Sequence, residues 1–346
     1  MKTLRRLTLS FSLAFSASLL SFQSVNAADE AIVCTGKNLL PQIAKEAPEI
    51  AASLKAEAEA IPYGQGLTWR IEKDGVPPSY LFGTMHLSDP RMLELKPGTK
   101  AAFDGSTALA LEITEIIDPK AMASKAFSIL QYTMYSGAEN LDTKLKSDDV
   151  AAVKKLVQTK LGLPWNVASK MKPWALMGSL ALPACELARK RAQKPFLDMK
   201  LGLDANASGK TLVGLETLES QMQAMASLPE EFALNGLLQS VRLGNRMDDL
   251  FETMIQLYLK EDMATVWALM RRIGENGFVK AQDNTDYAEF QQVIVDARNF
   301  SMVDAAIPLL EKGNAFIAVG ALHLPGEKGI ANILVQKGYK VTRVTP

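Results

Sequence analysis

The feature that most constrains this chain is a short segment that occurs twice, far apart in the sequence. One apolar run ends in Gly83-x-x-His86, followed by a leucine and a polar turn, and a second ends in Gly320-x-x-His323, followed by a leucine and a proline. No other histidine occurs in the 346 residues. Each unit is typical of a strand that leads into a turn. The fold must therefore accommodate two similar strand-to-turn units that are remote in sequence.

Further strand signals occur in the first and last thirds of the chain and once near its centre. Residues 67–72 alternate between apolar and polar as a half-buried strand does. Residues 107–113 and 211–216 are apolar runs that end near Glu112 and Glu216, and residues 315–344 have the pattern strand, turn, helix, strand. This pattern predicts an α/β fold with a mixed sheet built from N- and C-terminal strand units.

Helical periodicity fills the segments between these strands. Apolar residues at three- and four-residue spacing cover about residues 119–195 and 217–312. We therefore predict a single α/β domain over residues 28–346, with a large helical layer inserted between the strands. The two Gly-x-x-His units would contribute adjacent strands of its sheet.

The first 27 residues have the pattern of a cleavable signal peptide. A basic start with Lys2, Arg5 and Arg6 precedes an apolar, serine-containing stretch, and Ala27 ends a small-x-small cleavage site. A membrane span needs about 20 mainly apolar residues, and this stretch is shorter. We predict cleavage after Ala27 and a periplasmic or secreted mature protein that has no stable membrane anchor.

Charge and cysteine content narrow the classes of partner. The 38 basic and 38 acidic residues give no net charge, so the composition does not favour nucleic acid as a partner. We expect a peptide or small-molecule substrate, and the sequence indicates no oligomeric state. Cys34 and Cys185 are the two cysteines. An even count in an oxidising compartment favours one disulfide, with two buried free thiols as the alternative.

Four side chains stand just past predicted strand ends, where α/β sheets present reactive groups: His86, Glu112, Glu216 and His323. Two imidazoles with one or two carboxylates form a suitable ligand set for a divalent ion such as Zn²⁺, Mn²⁺ or Co²⁺. Such an ion lowers the pKa of bound water towards about 7 and polarises a carbonyl, while a remaining carboxylate can act as general base. Glycine before each histidine would allow a tight turn and leave room for a ligand.

Each of these residues also has a structural interpretation. Either histidine alone would more often be a hydrogen-bonding residue, and each glutamate could form a buried ion pair with Arg or Lys. Glu115 and Glu219 follow three residues later, so the sequence leaves open which acid of each pair faces the site. Arg298 could stabilise an oxyanion and Asn299 could donate to a substrate carbonyl, and the alternative is a polar pair on a helix surface.

Taken together, these segments resemble the TraB/GumN family, which includes the TIKI metalloproteases. The matching segments are Tyr80–Pro90, Leu109–Ile113, Lys172-Pro173-Trp174, Leu197-Asp198, Gly209–Gln221, Arg298-Asn299 with Met302, and Gly320-x-x-His323. They extend from about residue 65 to the C-terminus. The resemblance implies a metal-dependent hydrolytic site, with Mn²⁺ or Co²⁺ in the TIKI branch, and a fold related to EreA-like erythromycin esterases and haem-binding ChaN.

The resemblance also assigns matching positions. The two histidines correspond to the paired histidines of the family, Glu112 and Glu216 to family acids, and Arg298 and Asn299 to an Arg-Asn pair. We predict an exported metal-dependent hydrolase and expect peptides, in preference to esters or amides, as its substrates. The histidines and one or both glutamates would hold Mn, Co or Zn, and Arg298 and Asn299 would orient the substrate or stabilise the oxyanion. Two alternatives stay open: a metal-free, esterase-like hydrolase with histidine as general base, and a non-enzymatic protein that binds haem or a small ligand.

Overall fold

Six strands form one mixed sheet in the computed structural model, which describes residues 32–272 and 285–345. They are β1 (Thr68–Lys73), β2 (Val76–Thr84), β3 (Ala108–Leu111), β4 (Thr211–Gly214), β5 (Ala315–Gly320) and β6 (Lys340–Arg343). Their order across the sheet is β4-β3-β5-β2-β1-β6. The predicted α/β fold with a mixed sheet of N- and C-terminal strand units is confirmed. The predicted signal peptide, residues 1–27, lies outside the described residues.

The two histidine turns follow neighbouring parallel strands. β2 pairs with β5 in a register that sets Thr84 opposite Gly320, as predicted for the two Gly-x-x-His units. β3 lies on the other side of β5, with Leu111 opposite Ala318, and β4 lies beyond β3, with Gly214 opposite Leu111. β1 pairs antiparallel with both β2 and β6. Because the carboxyl ends of parallel strands meet at one edge of a sheet, the residues that follow β2, β3, β4 and β5 come together there.

Helices occupy the segments between the strands. Before β3 these are α1 (Leu40–Glu46), α2 (Pro48–Ala60), α3 (Pro90–Leu93) and α4 (Pro97–Gly105). Between β3 and β4 they are α5 (Pro119–Ser124), α6 (Ala126–Thr133), α7 (Leu141–Lys144), α8 (Ser147–Leu161), α9 (Trp165–Ala168), α10 (Pro173–Ala181), α11 (Ala184–Arg191) and α12 (Leu197–Ala207). Between β4 and β5 they are α13 (Leu218–Ala226), α14 (Glu230–Leu243), α15 (Arg246–Leu259), α16 (Met263–Arg272), α17 (Thr285–Phe290) and α18 (Ala297–Lys312), and α19 (Ile330–Gln336) precedes β6. Among the helices so described, none combines the length and apolar content that crossing a bilayer requires.

The central strands are buried on both faces because their side chains alternate between two apolar cores. Phe82 and Phe316 pack on one face with residues of α4, α12, α15 and α16. Leu81 and Ile317 pack on the opposite face with residues of α18 and α19. β5 is buried at every position up to Val319, which explains its uninterrupted apolar sequence. Two helical layers therefore fix the direction in which the strand-end residues point.

A disulfide links the segment before α1 to α11. Cys34 and Cys185 are bonded, with their Cα atoms 5.2 Å apart, so the predicted pairing is confirmed. Glu186, the residue after Cys185, accepts a hydrogen bond from the backbone N–H of Ser88 at 2.8 Å. Ser88 lies two residues beyond His86. The disulfide-linked helix therefore supports the turn that carries the first histidine.

Candidate active site

His86 follows β2, and one of its ring nitrogens is held by a carboxylate. Its Nδ1–H donates to Asp198 Oδ2 at 2.9 Å, and the Thr84 hydroxyl donates to Asp198 Oδ1 at 2.7 Å. Asp198 lies in the first turn of α12, where the helix dipole favours a negative charge. The charge of Asp198 outweighs the effect of burial and raises the pKa of His86 to about 9. The side chain is 54% exposed, so this imidazole is the accessible one of the two.

His323 ends a short 3-10 turn after β5 and is buried, with 6% of its side chain exposed. Its Nδ1–H donates to Asn299 Oδ1 at 2.6 Å. The Nδ2 of the same amide donates to the carbonyl of Lys328 at 2.7 Å, which fixes the amide orientation and places the His323 proton on Nδ1. Burial lowers the pKa of His323 to about 4. The ring is therefore neutral near pH 7, and its Nε2 carries a lone pair.

Both imidazoles face the same oxygen of Glu112, the residue that follows β3. Glu112 Oε1 lies 3.9 Å from His86 Nε2 and 3.8 Å from His323 Nε2. The same oxygen accepts a hydrogen bond from the backbone N–H of Gly320 at 2.6 Å. Burial alone would raise the pKa of Glu112, but the charges of the two histidines and Arg298 lower it to about 2. Glu112 is therefore an anion at neutral pH.

Arg298 connects the two strand-end glutamates. Its Nη2 donates to Glu112 Oε2 at 2.7 Å and to Glu216 Oε2 at 2.6 Å, and its Nε donates to both oxygens of Glu216. Gln221 Nε2 bridges the same two carboxylates at 2.9 and 3.1 Å. Burial disfavours the charged guanidinium, but its bonds to the two glutamates outweigh this effect and raise the pKa of Arg298. Glu112 and Glu216 therefore do form buried ion pairs with an arginine, and they do so within the same cluster as the imidazoles.

The structure brings the predicted site residues into one cluster: His86, Glu112, Glu216, Arg298, Asn299 and His323. Arg298 is largely buried and Asn299 is 1% exposed, so the helix-surface interpretation of this pair is wrong. Glu115 accepts a hydrogen bond from the first backbone N–H of α13, and Glu219 is exposed. Glu112 and Glu216 are therefore the acids that face the cluster. The roles of these residues as ligands or catalysts stay predictions.

Sequence reasoning assigned no role to three polar residues of the cluster: Thr84, Asp198 and Gln221. Asp198 and Gln221 lie in two of the segments that carry the family resemblance, so a signal for them was present. Neither follows a strand, however. Their contacts with His86 and Glu112 depend on how α12 and α13 pack against the strand ends, and local sequence pattern does not specify that packing.

The two motif glycines are required for space and not for a special backbone conformation. Gly320 has φ −52° and ψ 134°, and Gly83 also lies outside the left-handed region. A Cβ at Gly320 would lie 3.2 Å from Glu112 Oε1 and 3.6 Å from His86 Nε2. A Cβ at Gly83 would lie 2.9 Å from the Cβ of Ala321. A turn follows Gly320 as predicted, but neither glycine needs a left-handed conformation to make it. The room predicted beside Gly320 lies among the three donors.

The chemistry of the donor set fits a divalent ion, although the donors are spread more widely than bound ligands would be. Within the described ranges, one group of three His, Cys, Asp or Glu donors lies within 4.8 Å of one another: Cys34, Asp89 and Glu186. Cys34 is disulfide-bonded and therefore not an available ligand. His86, Glu112 and His323 therefore do not all lie within 4.8 Å of one another. Because each Nε2 lies within 4 Å of Glu112 Oε1, the distance that exceeds 4.8 Å is the one between the two Nε2 atoms.

Two nitrogens that bind one ion lie at most about 4.2 Å apart, because each is about 2.1 Å from it. Binding by both histidines therefore requires them to approach by at least about half an ångström. Both rings are held through Nδ1, His86 by Asp198 and His323 by Asn299. His86 is half exposed and His323 is buried, so His86 is the less confined of the two.

Two cavities meet at His86 and Glu112. One has a volume of about 260 Å³ and extends from the imidazoles towards α15, α16 and the residues that precede Arg298. The other has a volume of about 250 Å³ and is lined by Phe196 and Gln221, among others. The His86–Glu112 pair therefore lines both cavities.

Comparisons with known proteins agree on one family. The family model of the TraB/PrgY/gumN family matches residues 67–343. Similar proteins include Metalloprotease TIKI2 of Danio rerio, 26% identical over 323 residues that cover 80% of this chain and 61% of the relative. Metalloprotease TIKI1 of Danio rerio is 25% identical over 316 residues, 79% of this chain and 62% of the relative. Metalloprotease TIKI homolog of Nematostella vectensis is 22% identical over 320 residues, 80% of this chain and 67% of the relative. The chain spans about three fifths of the length of the two Danio relatives, and no solved structure matches it significantly.

Proposed function

The chain belongs to the TraB/PrgY/gumN family, and from this membership and the geometry of the site we propose that it is an exported, metal-dependent hydrolase that acts on peptide bonds. The relatives named above are metalloproteases by name. One observation carries the proposal: both Nε2 atoms face Glu112 Oε1, while each Nδ1–H is held by another side chain.

That hydrogen-bond pattern is the one expected of metal ligands. A ligating histidine almost always donates its other ring N–H to a carboxylate or carbonyl oxygen, which orients the ring and directs the remaining lone pair at the ion. His323 has this arrangement with Asn299, and its Nε2 is unprotonated near pH 7. His86 has it with Asp198, and because the pKa of His86 is about 9, an ion would have to displace the proton on its Nε2. An ion pair between protonated His86 and Glu112 accounts for the direction of one of these nitrogens. It does not account for His323, which is neutral near pH 7 and faces the same oxygen.

We assign His86, His323 and Glu112 as the residues that would hold the ion, with Mn²⁺, Co²⁺ or Zn²⁺ as candidates. When bound, such an ion would polarise the substrate carbonyl and lower the pKa of a water molecule towards about 7. Glu216 was also predicted as a ligand, but both of its oxygens are bonded to Arg298. We therefore assign Glu216 to the positioning of Arg298.

The other residues prepare Glu112 and His323 for this role. Arg298 bonds Glu112 Oε2 and so leaves Oε1 directed at the imidazoles. Oε1 accepts one backbone N–H and retains a second lone pair, which can bind the ion or accept the proton of the attacking water. Asn299 is buried and bonded at both ends of its amide, so it orients His323 and does not contact the substrate.

One observation favours a second candidate, a metal-free hydrolase in which His86 is the general base. The Asp198–His86 pair has the acid–imidazole arrangement that orients catalytic histidines in metal-free hydrolases. Because the pKa of His86 is about 9, this candidate predicts activity that rises with pH towards 9. Haem or small-ligand binding, the other prediction from the sequence, is not favoured by a comparable observation at the site.

Export is supported by the N-terminal sequence and by the disulfide. Disulfides persist in oxidising compartments and are rare in the cytosol. The Cys34–Cys185 bond is therefore consistent with the predicted signal peptide. We propose a periplasmic or secreted protein.

Hydrolysis of a peptide library by the purified protein tests the proposed function. Turnover should stop on chelation and return with Mn²⁺, Co²⁺ or Zn²⁺. Glu112→Gln should abolish it, whereas Glu219→Gln, a change of the same kind at an exposed acid outside the cluster, should not. Turnover that survives complete chelation would support the metal-free candidate. If the metal-loaded protein hydrolysed neither peptides nor esters, the hydrolase assignment would be wrong.

A further inference from the structure

The cavity of about 260 Å³ beside the imidazoles has an unusual lining. Four methionines contribute to its wall: Met85, Met254, Met263 and Met270. Branched and aromatic side chains from the segment before Arg298 complete it. Methionine is unbranched and polarizable, so a wall of this kind adapts to apolar groups of different shapes.

The two imidazole Nε2 atoms and Glu112 Oε1 lie at one end of this cavity, and its other polar side chains already have partners in the protein. The Tyr258 hydroxyl donates to the carbonyl of Gly83 at 2.9 Å, and Thr84 donates to Asp198. Arg298 is bonded to two glutamates and to the carbonyl of Ile294. A polar or charged group that entered the methionine-lined end would therefore lose water without gaining a partner.

The volume indicates what enters. A whole small-molecule ligand usually occupies about 300–1,000 Å³, so 260 Å³ is too small for one but sufficient for a single large side chain. The rest of a substrate would continue over His86 and Glu112 into the second cavity, of about 250 Å³, which contacts the same two residues. This arrangement is expected of a cleft that binds a chain on both sides of the reacting bond.

We propose that the methionine-lined cavity is a specificity pocket for a large apolar side chain, such as Leu, Met or Phe, next to the scissile bond of a peptide. This inference rests on the proposed peptidase function and specifies its substrate class. Because methionine side chains adjust, Leu, Met and Phe should be accepted within a few-fold of one another. Asp and Lys should be rejected, since burying an unpaired charge is costly.

Peptides that differ at one position next to the cleaved bond test the pocket through turnover. Leu, Met or Phe at that position should give a kcat/KM about 10- to 100-fold higher than Asp or Lys, as burial of a large apolar side chain predicts. The double variant Met254→Gln with Met270→Gln, which changes polarity at nearly constant volume, should reduce this preference at least several-fold. Met177→Gln, at a half-buried methionine of α10 outside the cavity lining, should leave it unchanged. Equal kcat/KM for Leu and Asp peptides would overturn the proposal.

Binding tests the pocket independently of turnover. In protein labelled with ¹³C at the methionine methyl groups, N-acetyl-leucine amide should shift the Met254 and Met270 signals, and N-acetyl-aspartate amide should not. Substitution of each methionine assigns its signal. If both probes left these methyls unmoved, the pocket assignment would be wrong even if peptides were cleaved. A leucine-specific shift without any peptide hydrolysis would retain the pocket and remove the peptidase function on which its biological role rests.

Discussion

The substitution Gly320→Ala separates the function of the site from the stability of the fold. Gly320 has φ −52° and ψ 134°, a conformation that alanine adopts without strain. Its added Cβ would lie 3.2 Å from Glu112 Oε1, 3.5 Å from His323 Cδ2 and 3.6 Å from His86 Nε2. The methyl group would therefore occupy the space among the three proposed ligands.

Two effects of this change have different magnitudes. The stability of the fold should change by less than about 1 kcal/mol, because alanine restricts the unfolded chain at a compatible backbone conformation while Glu112 Oε1, 3.2 Å from the added Cβ, must shift slightly. Metal affinity should fall by at least about 10-fold, the lower end of the losses that follow when the surroundings of a metal ligand are disturbed. The variant would thus be folded, close to wild type in stability, and poor in metal.

Gly83→Ala is the matched control, because it adds the same methyl group to the other motif. Its Cβ would lie 2.9 Å from the Cβ and 3.0 Å from the Cα of Ala321, within the packed interior. Overpacking of this kind costs about 1–3 kcal/mol. This variant should lose stability, whereas Gly320→Ala should lose metal.

Urea unfolding and metal titration, applied to both variants and wild type, measure the two effects. If Gly320→Ala bound Mn²⁺ or Co²⁺ as tightly as wild type does, the proposed position of the ion among His86, His323 and Glu112 would be refuted. A destabilisation of Gly320→Ala as large as that of Gly83→Ala would contradict the claim that its backbone conformation is unstrained.

Three further predictions concern the supports of the site. Reduction of the Cys34–Cys185 bond should lower the free energy of unfolding by about 5 kcal/mol in the chain-entropy treatment, because the bonded cysteines are separated by 151 positions. Urea unfolding with and without reductant measures this difference, and equal unfolding free energies would contradict the prediction. Asp198→Asn should lower the pKa of His86 from about 9 towards its ordinary 6.5, because the substitution removes the negative charge that raises this pKa. NMR titration of His86 in the metal-free protein measures the pKa, and an unchanged value would exclude Asp198 as the cause. Burial would raise the pKa of Asp89, but hydrogen bonds and ion pairs with Arg91 and Arg189 lower this pKa below 3.8. The ionised Asp89 therefore contributes fully to stability above pH 3.8, and this contribution is lost as the pH falls through the lower pKa of the folded state. Asp89→Asn should therefore flatten the fall in unfolding free energy below pH 3.8, and an unchanged slope would show that other acids cause it.

Much of the site could be predicted because its main residues follow strands. β2 and β5 are recognisable from their apolar runs, and parallel pairing brings the turns after Thr84 and Gly320 together. β3 ends at Leu111, so Glu112 joins the same edge. Where reactive residues follow local strand signals, the rule that parallel strands end at a common edge is sufficient to group them.

The rest of the site depends on packing that no local pattern describes. Asp198 reaches His86 only because α12 begins beside the end of β2, and Arg298 reaches two glutamates because α18 begins near the residues that follow β3 and β4. The sequence predicted room beside Gly320 but not the atoms that surround it, because Glu112 and His86 are remote in sequence. Contacts of this kind become visible only when tertiary structure is known.

Metal content after purification and dialysis against a limiting concentration of Mn²⁺ or Co²⁺ tests the central claim most directly. Wild-type protein and Glu219→Gln should each retain one ion per chain, while His86→Ala and His323→Ala should retain little, with far-ultraviolet circular dichroism showing that both variants are folded. Wild-type protein without metal, or histidine variants that bind it as wild type does, would contradict the account.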